Sequence, residues 1–241
     1  MSKKPSIQAG RRIWQRVRPA QPVQVHELKI TLRGSKPPIW RRVAVPSDMC
    51  LSDLHYVIQI VMGWTNSHLH QFVVRNAKPK PAADELRKLF QNEQRDKLEQ
   101  LMNRERCISD LRFELDNIED ERKVKLSEVA PLVKNEFIYE YDFGDGWDHT
   151  IEVVKISPPA EGVKYPVCLA GKLACPPDDC GGIWGYYEML EVIKDPKHER
   201  YDELSDWLGK NFDPERFNLE AINAGLAELR DGKSSRGRQP Y

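Results

Sequence analysis

The sequence predicts an α+β fold: an antiparallel or mixed sheet of hairpins with helices packed on one side, plus a helical insertion and a C-terminal helical segment. Short segments of alternating apolar and polar residues, bounded by Pro, Gly and Asp, mark half-buried strands. Other stretches place apolar residues on one helical stripe and end at Gly or Pro. Composition agrees: 40% hydrophobic residues supply a core for 241 residues, and 31% charged residues supply a wet surface.

In chain order, Leu28, Ile30 and Leu32 alternate with Lys29, Thr31 and Arg33 in a strand over 24–33. Gly34 to Pro38 turns the chain, and Ile39 to Val45 returns it. A helix over 51–62 aligns Leu51, Leu54, Ile58 and Val61, with Gly63 at a left-handed C-cap. Leu69 to Val74 reads as a strand. Lys78 to Pro81 is a stiff linker, and 82–106 is a charged helical stretch with a thin apolar stripe. Phe113, Leu115, Val124 and Leu126 suggest short strands either side of an acidic turn at 116–121.

The clearest element is a hairpin over 136–156. A three-residue loop, Gly144-Asp145-Gly146, would pair Tyr141 with His149, Tyr139 with Ile151 and Phe137 with Val153. A loop rich in Cys, Pro and Gly follows over 165–182. Helices are then expected at about 183–193, 200–208 and 218–229. The expected organisation is a basic disordered arm over 1–22 and an α+β domain over 23–210, with its helical insertion at about 78–110. A C-terminal helix and basic tail complete it over 211–241.

Charge and cysteine usage narrow the function classes. Lys+Arg and Asp+Glu are 37 each, so no global field favours nucleic acid. Residues 1–20 nevertheless carry six basic residues and no acid, which is the one feature pointing to a nucleic-acid partner. Five scattered cysteines fit reduced thiols and a cytoplasmic setting. The N-terminal stretch has no apolar h-region, and no apolar run is long enough to span a membrane, so no membrane partner is expected.

Three motifs stand out: Ile39-Trp40-Arg41-Arg42 with Gly63-Trp64 after the helix; Tyr141-Asp142-Phe143-Gly144-Asp145-Gly146-Trp147-Asp148-His149; and Cys175-Pro176-Pro177-Asp178-Asp179-Cys180-Gly181-Gly182 running into Gly185-Tyr186. In that order and spacing, from about Val25 to Leu208, the chain resembles the plasmid pRiA4b open-reading-frame-three-like family. The family usually has Glu where this chain has Asp178, one methylene shorter. The resemblance implies a sheet with packed helices and an uncharacterised activity. Some relatives look like passengers of mobile elements, plasmids and transposons, and have been labelled resolvases. No serine-recombinase signature occurs here.

Several groups of residues could carry chemistry. Cys168, Cys175 and Cys180 with His149 offer the donors of a tetrahedral zinc site, although no C-x-x-C knuckle is present. Otherwise they are small thiols packed on the sheet. A polar pocket is expected from Asp142, Asp145, Trp147, His149, Asp178 and Asp179, with His70 and its neighbour His68. His and Asp together could hold a divalent ion or move protons. Equally, Asp145 is an ordinary turn residue, and His149 on an apolar face reads as a core histidine. Cys180 before a helix could be an activated thiol, with His149 as its base. Arg41 and Arg42 fall on opposite strand faces, which weakens them as a phosphate clamp.

With surfaces and aromatics but no complete catalytic set, the sequence favours a binding or interaction module for an unknown protein or small-molecule ligand. The alternatives are a metal-assisted hydrolase built on the His/Asp/Cys groups and a DNA-associated accessory protein.

Overall fold

The computed structural model describes residues 23–75, 105–110, 118–209 and 212–232. The basic arm, the linker and the stretch expected as helix up to residue 104 lie outside the described residues.

The described chain runs β1 (Val25–Leu32), β2 (Trp40–Pro46), α1 (Leu51–Met62), β3 (His70–Arg75), β4 (Glu105–Ser109) and β5 (Ile118–Asp120). It continues through α2 (Leu126–Val129), β6 (Glu136–Tyr141), β7 (Trp147–Ser157) and β8 (Val167–Lys172). Helices α3 (Gly182–Val192), α4 (Tyr201–Leu208) and α5 (Leu219–Arg230) follow. The strands form one eight-stranded sheet in the order β5-β4-β3-β6-β7-β1-β2-β8. Described pairs are antiparallel except β4 with β5, so the sheet is mixed.

Alternation explains why helices gather on one side. In β7, Trp147, His149, Ile151 and Val153 are buried, and the residues between them are partly exposed. Leu28, Ile30 and Leu32 of β1 share the buried face and join one core with Leu51, Leu54 and Ile58 of α1. Each fully buried aliphatic side chain there stabilises the fold by about 1.5–3 kcal/mol. Gly63 ends α1 at φ 92°, donating its N–H to the Gln59 carbonyl, as its position in the sequence predicts.

The long hairpin keeps its predicted faces but not its predicted register. Tyr141 pairs with Trp147, Tyr139 with His149 and Phe137 with Ile151. The loop is Asp142 to Gly146, because Asp142 leaves the strand at φ 55°. Its Oδ1 accepts the N–H groups of Gly144 (3.0 Å) and Asp145 (3.3 Å), and its carbonyl accepts that of Gly146 (2.7 Å). The side chain thus ends the ladder earlier than the glycines suggest. A shift of two residues preserves which side chains face the core.

Other elements also differ from expectation. The chain from Glu105 is strand rather than helix, and it pairs with β3. The acidic turn holds β5 at Ile118–Asp120, while Leu126 begins a single helical turn. The cysteine loop contains an edge strand, β8, paired with β2. Helix α5 is no mere appendage: Leu226 is fully buried. Asn223 accepts from the Cys168 N–H (2.8 Å) and donates to the Cys168 carbonyl (3.0 Å). That pair covers part of an edge that would otherwise present free backbone groups.

Candidate functional site

The three motif segments meet at one end of the sheet. Trp64, just past α1, donates its indole N–H to the Pro176 carbonyl at 3.0 Å and stacks on Tyr141 at 4.8 Å. The β6–β7 loop docks on the turn before α3, where Asp145 Oδ2 accepts the Gly181 N–H at 3.1 Å. Gly182 sits at φ 69°, and a Cβ there would lie 2.4 Å from the Asp145 carbonyl oxygen. The glycine is therefore needed for the loops to close on each other.

That closure brings His68, Asp142 and Asp179 together. One ligand atom from each lies within 4.8 Å of the others. His68 Nε2 is 3.2 Å from Asp179 Oδ1 and 3.7 Å from Asp142 Oδ2. It is shielded from solvent yet makes no hydrogen bond among the described residues, the Asp142 oxygen being too distant for one. Asp142 contributes Oδ2 because its Oδ1 is occupied by the loop amides. Its side chain is only 10% exposed, whereas that of Asp179 is 72% exposed.

Asp178 lies beside this group. Its Oδ2 accepts from the Thr65 N–H (3.1 Å) and hydroxyl (2.6 Å), while Oδ1 is shielded and has no hydrogen-bond partner among the described residues. Burial and then Asp178 raise the pKa of the Tyr141 phenol, keeping it neutral. One imidazole with two carboxylate oxygens is a donor set for divalent manganese, iron or zinc. Three protein ligands leave coordination positions for water or a bound molecule.

His70 goes elsewhere. The sequence puts it on one strand face with His68, but β3 begins only at His70 and leaves His68 in the preceding loop. The His70 ring stacks on His55 at 3.5 Å and 7°, and its Nε2 bonds Glu121 Oε2 at 2.8 Å. His55 bonds the Tyr139 hydroxyl through Nδ1 (2.8 Å) and Asn66 Oδ1 through Nε2 (2.7 Å). Gln59 donates to the same hydroxyl (2.9 Å) and accepts from the Asn66 N–H (2.9 Å). Burial, then the neighbouring His70, lowers the His55 pKa to about 3.

His149 is a core residue. It is wholly buried, its Nδ1 bonds the Tyr139 carbonyl at 3.2 Å, and Trp64 meets its ring edge-on at 4.9 Å. Burial lowers its pKa to about 4. Its Nε2 and the Trp147 Nε1 are shielded without hydrogen-bond partners.

Among the described residues, Cys168, Cys175 and Cys180 do not join His149 in a group of three ligand atoms at metal-binding spacing. All three thiols are free. Electrostatics argue against an activated Cys180. Burial and then Asp145 push the Cys180 thiol up to about 12, overriding the helix N-terminus. Burial likewise raises Cys175 and Cys168.

Sequence reasoning missed the network of His55, Asn66, Glu121 and Tyr139. One signal was available: His55 follows Leu51 by four residues and so lies on the buried stripe of α1.

Comparison with known proteins agrees with this architecture. The chain is 36% identical over 213 residues to the uncharacterized protein y4hQ of Sinorhizobium fredii (strain NBRC 101917 / NGR234), covering 85% of this chain and 92% of that protein. It also superposes on the crystal structure of a protein of unknown function, MM3350, from Methanosarcina mazei Go1. That likeness has a TM-score of 0.67 and 40% identity, covering 83% of this chain and 97% of the other. Residues 24–221 match the family described as plasmid pRiA4b ORF-3-like protein, and the chain belongs to that family.

Proposed function

We propose that the protein is a binding module whose ligand position is a divalent cation held by His68, Asp142 and Asp179. The observation that carries this reading is the shielded His68 Nε2, which sits between two carboxylate oxygens and hydrogen-bonds to neither. A buried polar atom without a partner is costly, and a cation bridging the three groups would remove that cost. The amides on Asp142 Oδ1 orient the carboxylate from behind, as outer-shell donors do at metal sites. Phe143, next to Asp142 in sequence, and Trp184, in the first turn of α3, are exposed, Trp184 at 84%, and are aromatic surface available to a bound partner.

The test is calorimetric titration of metal-free, untagged protein with manganese and zinc. One equivalent should bind, and Asp142→Asn, which keeps the loop cap, should weaken binding at least ~10-fold. Absence of binding, or equal affinity in Asp142→Asn and Asp179→Asn, would overturn the reading. Cys175→Ser should retain the metal; its loss there would move the site to the cysteine loop.

A second reading, metal-assisted hydrolysis, is favoured by the unpartnered Asp178 Oδ1. A cation lowers the pKa of bound water, and a nearby carboxylate can take the proton. Turnover that survives Asp178→Asn in metal-loaded protein would dismiss that role.

A further inference from the structure

Arg41 stands apart from both histidine groups. It is 3% exposed on the buried face of β2, with its guanidinium over the Phe217 ring at 5.1 Å. Its Nε donates to the Val61 carbonyl (2.7 Å), and Nη1 donates to those of Trp40 (2.9 Å) and Lys172 (3.0 Å). Nη2 has no hydrogen-bond partner among the described residues, and no described carboxylate forms an ion pair with Arg41. Buried charges are normally paired. Val61 lies in the last turn of α1, so its carbonyl brings roughly half a negative charge against a full positive one.

Arg41 lines a cavity of about 370 Å³ between the end of α1 and the start of α5. The twelve-residue helix α5 presents its N-terminus there, with Asn218 as its cap. Arg216 lines the same cavity, is exposed, and makes no ion pair among the described residues. The acid on the lining, Asp213, is turned to the Glu215 N–H at 2.9 Å. Ile60, Met62 and Phe212 supply apolar walls.

We propose that this cavity binds a small organic oxyanion, a carboxylate or phosphate ester on an apolar body, with buried Arg41 as the anchor. The α5 N-terminus and Arg216 add positive potential at the mouth, partly offset by Glu220 in the first turn of α5, and the apolar walls take the body of the ligand. The site is independent of the cation reading, because no residue is shared.

The test uses the full chain, titrated by calorimetry with benzoate, phenyl phosphate and the neutral analogue benzyl alcohol. At least one oxyanion should bind ~10-fold or more tightly than benzyl alcohol, and the ratio of the two identifies the preferred headgroup. Ala221→Glu places a carboxylate on the exposed first turn of α5, where glutamate suits the helix, and should weaken oxyanion binding ~10-fold or more. Circular dichroism verifies that this variant is folded. Equal binding of the neutral analogue, no oxyanion binding at millimolar concentration, or unchanged affinity in Ala221→Glu would overturn the proposal.

Discussion

His68 and His70 are two residues apart and end in opposite circumstances. His70 bonds Glu121 and stacks on His55, which with Gln59, Asn66 and Tyr139 forms a closed hydrogen-bonded network. His68 lies within ion-pair distance of two carboxylates, and its shielded Nε2 hydrogen-bonds to neither. The first arrangement stabilises the fold, because every polar group used there recovers what burial cost it. The second leaves interaction energy unused, which the proposed cation would recover. Two histidines two positions apart thus differ in whether the fold supplies hydrogen bonds to the ring nitrogen that faces a carboxylate.

The largest effect that sharpens this contrast is acid instability from the two buried histidines, His55 of that network and His149 of the core. Unfolded histidines take protons below about pH 6.5, whereas folded His149 and His55 resist to about pH 4 and pH 3. The unfolded state therefore binds more protons across that window, and stability falls as the pH falls. Each histidine contributes about 1.4 kcal/mol per pH unit. Urea unfolding between pH 6.5 and 4 should show this slope, with His149→Phe reducing it by about half. A flat profile would mean that these rings are protonated in the folded state.

A smaller effect is expected from Tyr139→Phe, which removes the hydroxyl shared by His55 and Gln59. Leaving those groups unpaired should cost about 1–3 kcal/mol in urea unfolding at neutral pH. The smallest effect should come from His68→Ala in metal-free protein. With no hydrogen bond to lose, its stability should stay within about 0.5 kcal/mol of the parent. A larger loss would make His68 a structural residue and dissolve the contrast.

The two sides also differ in how far they could be read beforehand. Asp142, Asp178 and Asp179 stand in distinctive motifs, and the hairpin faces follow from strict alternation. Whether His149 was core or site was open in the sequence, and its complete burial decides for core. The Asp142 cap moved the register because a side chain accepting two amides outweighs the turn preference of the flanking glycines.

The sequence by itself determined what depends on neighbours along the chain: strand faces, the span of α1 with its glycine cap, and the helices near the C-terminus. Only tertiary structure decided which loops touch. Gly182 admits the Asp145 carbonyl, that approach seats the β6–β7 loop against the Gly181 turn, and Asp142 thereby reaches Asp179 and His68. Three residues separated by 74 and then 37 positions became neighbours through packing between distant segments, and periodicity carries no information about such contacts.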